Sequence, residues 1–549
     1  VIEPGAVAEA EEAAPASTAR AGIGRAALLI GGFTVFARIL GFGRTLVFAG
    51  TVKTSCLSAA YLTANQVPNV IYDIVLGGAL TAIVVPVLAG PAERASHREA
   101  SAISSALLTW TVVILTPVSL ALALAAGPMI SALMPANPHS HCVRGQLVAI
   151  AARMLVVFAP QILLYGVAVV LYGILQSHRR FTAPALAPIL SSIVVIAAYA
   201  IFVPLGGSYT THVAGLPAAA EYTLSAGTTL GVAALVLTAV WPVWRLRLGL
   251  RPTLRLPGGV ASRARSLAGA GVAALIAQDA SVLVVTRLAN AHGGNHGSAV
   301  AVYSYGWQAF VSVYAVLAIP VAISAFPVLA ARRGAEFDDA AASATRATVL
   351  ASWLGAALLA GAAVPAARAF PSLGSPVSGQ LALSLVAFAP GLVGYGLTAC
   401  LSRVLFADGR NTSAATAMVA GWVVVILADV IAVPLVPARS VVPVLGLANT
   451  IGMTLSGVAL LIAVGRARGT AALRGSGRAL GAGLLGGLAG AGAGLGLSAA
   501  VPVSGPLLNA GLAAGVAVCV LAAFLVVVAV LDGGDLRSVI ARVRRRAAS

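Results

Sequence analysis

Arg38 and Arg44 lie in the stretch FARILGFGR, inside a run of apolar residues. A charge in hydrocarbon costs at least about 2.5–3.5 kcal/mol on insertion scales. An arginine in such a run is therefore either an anion site or a group reaching back to the interface. A guanidinium offers forked donors that suit a pyrophosphate. Six positions put the two arginines about 240° apart on a regular helix, so they share a face only if Gly41 and Gly43 loosen the turn between them. The same cost singles out Asp73, Arg153, Asp279, Arg287, Arg403 and Asp429, each within or near an apolar run. Asp279 and Arg287 are eight apart, about two turns, so each is expected to pair across helices. Structural pairing or interface placement is the plain alternative for every one of these six.

The elements that hold these groups follow from composition. Of 549 residues, 59% are hydrophobic and 9% charged. A soluble domain carries about 25% charged residues, so the solvent for this chain is lipid. The net charge of +18 does not mark a nucleic-acid binder, because the arginines sit in short loops between apolar runs, as the positive-inside rule produces. The four cysteines, Cys56, Cys142, Cys400 and Cys519, show no CxxC spacing and read as small residues in or near membrane helices. Cys56 and Cys142 both fall near one face, where a disulfide is open to them. Histidines in HSH (139–141) and HGGNH (292–296) lack a carboxylate or thiol motif to complete a metal site. No nucleophile motif, phosphate loop or dinucleotide fingerprint stands at a credible place, so neither enzyme chemistry, a metal nor a cofactor is expected.

Fourteen apolar segments between residues 26 and 531 read as membrane helices. With the N-terminus inside, about 25 arginines fall in cytosolic loops and tails, against Lys53, Arg144, Arg368 and Arg439 on the other side. Residues 1–22 read as a disordered cytosolic tail and 532–549 as a basic cytosolic tail on the anionic inner leaflet. FAPQILLYG (158–166) returns as FAPGLVGYG (388–396), and AIVVPVLA (82–89) as AISAFPVLA (322–330). The offset is six segments both times, and an even offset keeps orientation. The expected fold is all-α and membrane-integral: two parallel six-helix repeats related by an axis along the membrane normal, plus two C-terminal helices. The boundaries are an N-lobe at 23–245, a basic linker at 246–265, a C-lobe at 266–468 and a helix pair at 469–531. Pro160 and Pro390 fall inside segments and should bend them in pairs. Two bundles with a cleft between them suit rocking-type alternating access.

FARILGFGR, the following QVPNVIYDIVLGGALTAIVVPVLAG and the stretch FAPQILLYGVAVVLYGILQSHRRFTAPALAPIL (158–190) resemble the MurJ/MviN family of lipid II flippases, within the multidrug, oligosaccharidyl-lipid and polysaccharide exporter group. The resemblance covers the chain after its tail. It implies a bacterial plasma-membrane flippase with cytoplasmic termini. Such a protein carries an undecaprenyl-pyrophosphate-linked peptidoglycan precursor outward through a cationic cavity. Arg38 and Arg44 match the family's first-helix arginines, so anion binding is implied for them. Tyr72, Asp73, Asp279, Arg287, Gln308 and Arg403 are the candidate polar residues of the cavity. Ala59, Tyr72, Gly77 and Gln308 stand where the family usually carries charge.

Three functions stay open: a flippase for lipid II or a similar polyprenyl-linked glycan, an exporter of another amphipathic substrate on the same scaffold, and a non-transporting membrane partner of cell-wall synthesis proteins. The missing cavity charge favours the second. The absence of a nucleotide motif fits export helped by the membrane potential, at roughly 2.3 kcal/mol per charge per 100 mV.

Overall fold

A computed structural model describes residues 16–74, 97–178, 180–255, 260–294, 298–371 and 373–531. The described chain is a helical bundle. Its first half is built from α1 (Ala16–Thr51), α2 (Cys56–Asp73), α3 (His97–Leu124), α4 (Ala126–Leu133), α5 (Arg144–Phe158), α6 (Gln161–Ser177), α7 (Thr182–Gly206) and α8 (Ala218–Trp244). The second half holds α9 (Val260–His292), α10 (Ala299–Ala331), α11 (Gly334–Gly361), α12 (Ala363–Arg368), α13 (Ser375–Phe388), α14 (Gly391–Ala407), α15 (Asn411–Ala432) and α16 (Val441–Arg468). α17 (Ser476–Ala500) and α18 (Pro506–Leu531) follow. Among the described residues, eleven helices are long and apolar enough to cross a membrane, and twelve with the bent pair α13–α14. Fourteen were expected. α1 and α2 occupy the first two expected segments but are not among the twelve.

Several boundaries move. α1 begins at Ala16, inside the expected tail, and α9 begins at Val260, so part of the expected linker is helical. Gly77, Arg94, Arg179, the echo at 82–89 and the basic tail lie outside the described residues.

The repeated word folds the same way twice. Each copy breaks a helix at its proline, between α5 and α6 at Ala159–Pro160 and between α13 and α14 at Ala389–Pro390, the latter by 43°. Proline lacks the N–H that would continue the ladder. Phe158 and Phe388, ahead of the two breaks, are fully buried. The glycine closing each word is a contact point: a Cβ on Gly166 would meet Thr111 and Leu115 of α3, and one on Gly396 would meet Thr348 and Ser352 of α11. Small residues let membrane helices approach closely in the absence of an aqueous hydrophobic drive. The pairs α7–α8 and α15–α16 pack tightly for the same reason, with Gly227 and Gly231 against α7 and Gly421 and Gly452 at the second pair's contact. α17 and α18 pack on each other and on α11 and α12. Along α17, Gly483 and Gly487 take the Trp353 side chain, while Gly486, Gly490 and Gly494 seat α18.

Candidate functional site

The polar groups inside the bundle gather on helix faces. Along α2, Tyr61, Leu62, Asn65, Gln66, Asn69, Tyr72 and Asp73 follow helical spacing. Gln278, Val282, Val285, Thr286 and Ala289 do the same on α9, and Val300, Tyr303, Ser304, Trp307 and Gln308 on α10. With Arg44 of α1, Tyr165 of α6 and parts of α7 and α8, these faces enclose a cavity of about 530 Å³ between the two halves. α2 is started by a reciprocal cap. Ser55 Oγ accepts from the Ser58 N–H at 3.3 Å, and Ser58 Oγ accepts from the Ser55 N–H at 2.8 Å.

The cavity wall is made chiefly of rings and amides. Tyr72 and Tyr165 pack with ring centroids 4.1 Å apart, and Tyr303 lies parallel to Trp307 at 6.5 Å. The Tyr61 hydroxyl pairs with those of Tyr199 at 2.9 Å and Thr228 at 2.7 Å. Gln308 donates from Nε2 to Ser312 Oγ at 3.3 Å. Among the described lining residues, Arg44 is the one cation and Asp73 the one carboxylate. Both stand on the first two helices.

The expected residues divide accordingly. Arg44, Tyr72, Asp73 and Gln308 line the cavity. Arg38 does not, and its side chain is exposed. The reason is the helix itself: α1 runs unbroken through Gly41 and Gly43, so the six-residue spacing keeps the arginines on different faces. Asp279 and Arg287 each follow a cavity-facing residue by one position, and one residue turns a helix by about 100°. Asp279 is thereby buried in the packing, at 2% exposure, with Oδ2 lacking a partner among the described residues. Arg287 is exposed and donates to the Ala132 carbonyl of the first half. Arg403 is half-buried outside the lining and donates to the Ala399 carbonyl of its own helix.

Two other groups are structural. Arg153 donates from Nε and Nη2 to the two carboxylate oxygens of Glu221, at 2.9 and 2.7 Å. Asp429 is fully buried, and neither its carboxylate oxygens nor the side-chain amide of Asn449 find a partner among the described residues. Reasoning from charge alone missed Asn65, Gln66, Asn69, Tyr165, Tyr303 and Trp307. The signal was the spacing 65, 66, 69, 72 and 73 of polar residues in an otherwise apolar stretch.

A second cavity, about 660 Å³, lies at the end of the bundle away from the arginine-rich loops. Asn137, His141, His212 and Asn290 line it, as do Cys56 and Cys142, which form a disulfide.

The profile of the family described as "Lipid II flippase MurJ" matches residues 48–504. The chain belongs to that family. Membership makes it a multi-pass membrane protein of a flippase family. It is 28% identical over 182 residues to the Lipid II flippase MurJ of Burkholderia cenocepacia, covering 33% of this chain and 34% of that one. It is 25% identical over 319 residues to the probable lipid II flippase MurJ of Rhizobium meliloti, covering 57% and 56%. The matched stretches thus span about a third and just over half of these two relatives. A solved lipid II flippase MurJ in an inward closed conformation superposes with a TM-score of 0.67 at 16% identity, over 91% of this chain and 99% of that one. An inward-facing multidrug resistance MATE family transporter of the MOP superfamily gives 0.63 at 14% identity, over 79% and 94%. Both share the fold.

Proposed function

We propose that this member of the family flips a polyprenyl-pyrophosphate-linked cell-wall precursor, lipid II or a close relative, from the inner to the outer leaflet of the bacterial plasma membrane. The observation that carries the reading is the cavity between the halves with Arg44 in its wall, in a chain that belongs to a lipid II flippase family. Arg44 holds the phosphate group through charge-assisted bonds. Tyr72, Tyr165, Tyr303 and Trp307 supply ring faces, and Asn65, Asn69, Gln278 and Gln308 supply amides, for the glycan part of the head group. The prenyl tail stays in lipid. The chain moves its cargo without altering a covalent bond, and the membrane potential favours outward passage of the anion.

Rocking of an N-lobe (23–245) against a C-lobe (266–468) exposes the cavity to each side in turn, with 469–531 attached to the second lobe and both termini cytoplasmic. The paired proline breaks and the paired glycine contacts of Gly166 and Gly396 support descent of the lobes from one repeated unit. The arginine bias of the loops supports the orientation.

The test is complementation of a bacterial strain depleted of its lipid II flippase. Rescue by this chain that survives Arg38→Ala and fails with Arg44→Ala supports the reading. Rescue by Arg44→Ala at native level overturns the assignment of the phosphate to that residue.

One observation favours a second reading, export of another amphipathic molecule. The described lining balances a single cation against a single carboxylate, which is little charge for a pyrophosphate. Failure of the native, membrane-inserted chain to rescue would favour it. A non-transporting role in cell-wall assembly has less support, because the cavity is open rather than filled by side chains.

A further inference from the structure

At the end of the bundle away from the arginine-rich loops, the two halves exchange a reciprocal set of hydrogen bonds. α9 stops at His292, which leaves carbonyls at its C-terminus without a helical partner. Asn137, in the loop between α4 and α5, supplies the missing donors. Its Nδ2 donates to the Asn290 and Gly293 carbonyls, both at 2.9 Å. Asn290 answers in the other direction, donating from Nδ2 to Thr63 Oγ1 at 2.9 Å and to the Leu133 carbonyl at 3.0 Å. A primary amide has two N–H donors, so all four amide protons are spent between the halves. Arg287 to the Ala132 carbonyl and the Ser298 N–H to the Thr54 carbonyl, at 3.4 Å, lie at the same junction.

The loop that presents Asn137 is itself fixed at both ends. Arg144 donates to the Met134 carbonyl at 2.8 Å and to Ser131 Oγ at 2.9 Å, which ties the loop's start to its finish. The His139 N–H donates to Asn137 Oδ1 at 2.9 Å and orients the amide. The Cys56–Cys142 disulfide then joins the loop to the first turn of α2, the helix that carries Thr63, across 86 positions of sequence. One covalent bond therefore keeps the donor Asn137 and the acceptor Thr63 in register on the same half.

We propose that Asn137 and Asn290 form the latch that closes the two halves at this face, and that the Cys56–Cys142 disulfide makes the latch redox-sensitive. The intact disulfide steadies the latch without locking the halves, since both cysteines belong to the first half. Its reduction by a dithiol to two thiols loosens the 134–143 loop from α9 and weakens closure. The loop arginine bias puts this face outside, where disulfides persist. The proposal concerns closure alone and is independent of the substrate.

The experiment is amide hydrogen exchange read by mass spectrometry on the full chain in lipid nanodiscs, with and without dithiothreitol. The dithiol gives two electrons and two protons to the sulfurs, leaving two thiols at Cys56 and Cys142 and closing to its own cyclic disulfide. Reduction is expected to speed exchange on the order of tenfold in residues 285–294, which belong to the other half. Asn137→Ala should do the same without reductant. In the Cys56→Ser/Cys142→Ser double variant, exchange should already be fast and dithiothreitol should add nothing, which separates the bond from general effects of the reagent. Reduction of the native chain needs no substitution, so a folding defect in a variant leaves the test standing. Faster exchange confined to 134–143, with 285–294 still protected, overturns the redox link. Native protection of 285–294 in a folded Asn137→Ala protein overturns the latch.

Discussion

The two halves treat their polar side chains in opposite ways. In the first half, charge faces the cavity: Arg44 and Asp73 stand in its wall, while the buried Glu221 is neutralised by Arg153. In the second half, the described wall is neutral, made of Gln278, Gln308, Tyr303, Tyr305 and Trp307. There the carboxylates of Asp279 and Asp429 are turned into the packing. The halves thus line one cavity differently, with a cation and a carboxylate on one side and an uncharged ring-and-amide surface on the other. The lesson is that one residue of helical phase, about 100°, decides whether an ionisable group faces the cavity or the protein interior.

The sharpest way to break this division is at Arg44. Arg44→Ala should lower flipping roughly 10- to 100-fold in a vesicle assay with fluorescent lipid-linked substrate, the range expected for losing a charge-assisted bond. Arg38→Ala should stay within about twofold, as expected for an exposed side chain off the cavity face. Equal losses would mean that α1 changes its phase during transport.

Next in size is the paired carboxylate. Arg153→Met leaves Glu221 buried without its partner and should cost about 2 kcal/mol, less than a fully buried pair because Arg153 is 58% exposed. Thermal unfolding in detergent measures it, and a change within error would mean that solvent replaces the arginine. Trp307→Ala tests the neutral wall. It should reduce flipping several-fold, in line with about 1 kcal/mol for an aromatic contact, and lower the melting temperature as well, because the ring also packs on Phe310, Phe388 and Tyr395. The smallest effect is expected from Gly41→Ala with Gly43→Ala. Nothing lies within 4 Å of a Cβ at either position, so transport should persist and stability should hold or rise slightly. Loss of transport would show that the turn between the arginines loosens in another state.

Much of the plan was readable in the sequence because lipid imposes it. Long apolar runs, the loop arginines and the duplicated FAP words gave the helical bundle and the place of its breaks. Arg44, Tyr72, Asp73 and Gln308 were reached through resemblance and through the cost of charge in hydrocarbon. Arg38, Asp279, Arg287 and Arg403 were drawn to the cavity by the same cost argument, and helix phase sends them elsewhere. The amides of α2 escaped notice because a neutral side chain in an apolar run raises no alarm, although its spacing does. The Asn137–Asn290 exchange had no sequence signal, since it joins positions 153 apart through backbone carbonyls.

The closing hairpin offers a way to watch the molecule work. α17 and α18 pack on α11 and α12, and Gly361 and Gly494 bring the backbones together with Val520 against both. A pair so closely seated should travel with the second half as a fixed pennant. A fluorophore on the membrane-facing side of α18, where Val526 and Val530 are exposed, would report that half's tilt while leaving cavity and latch untouched.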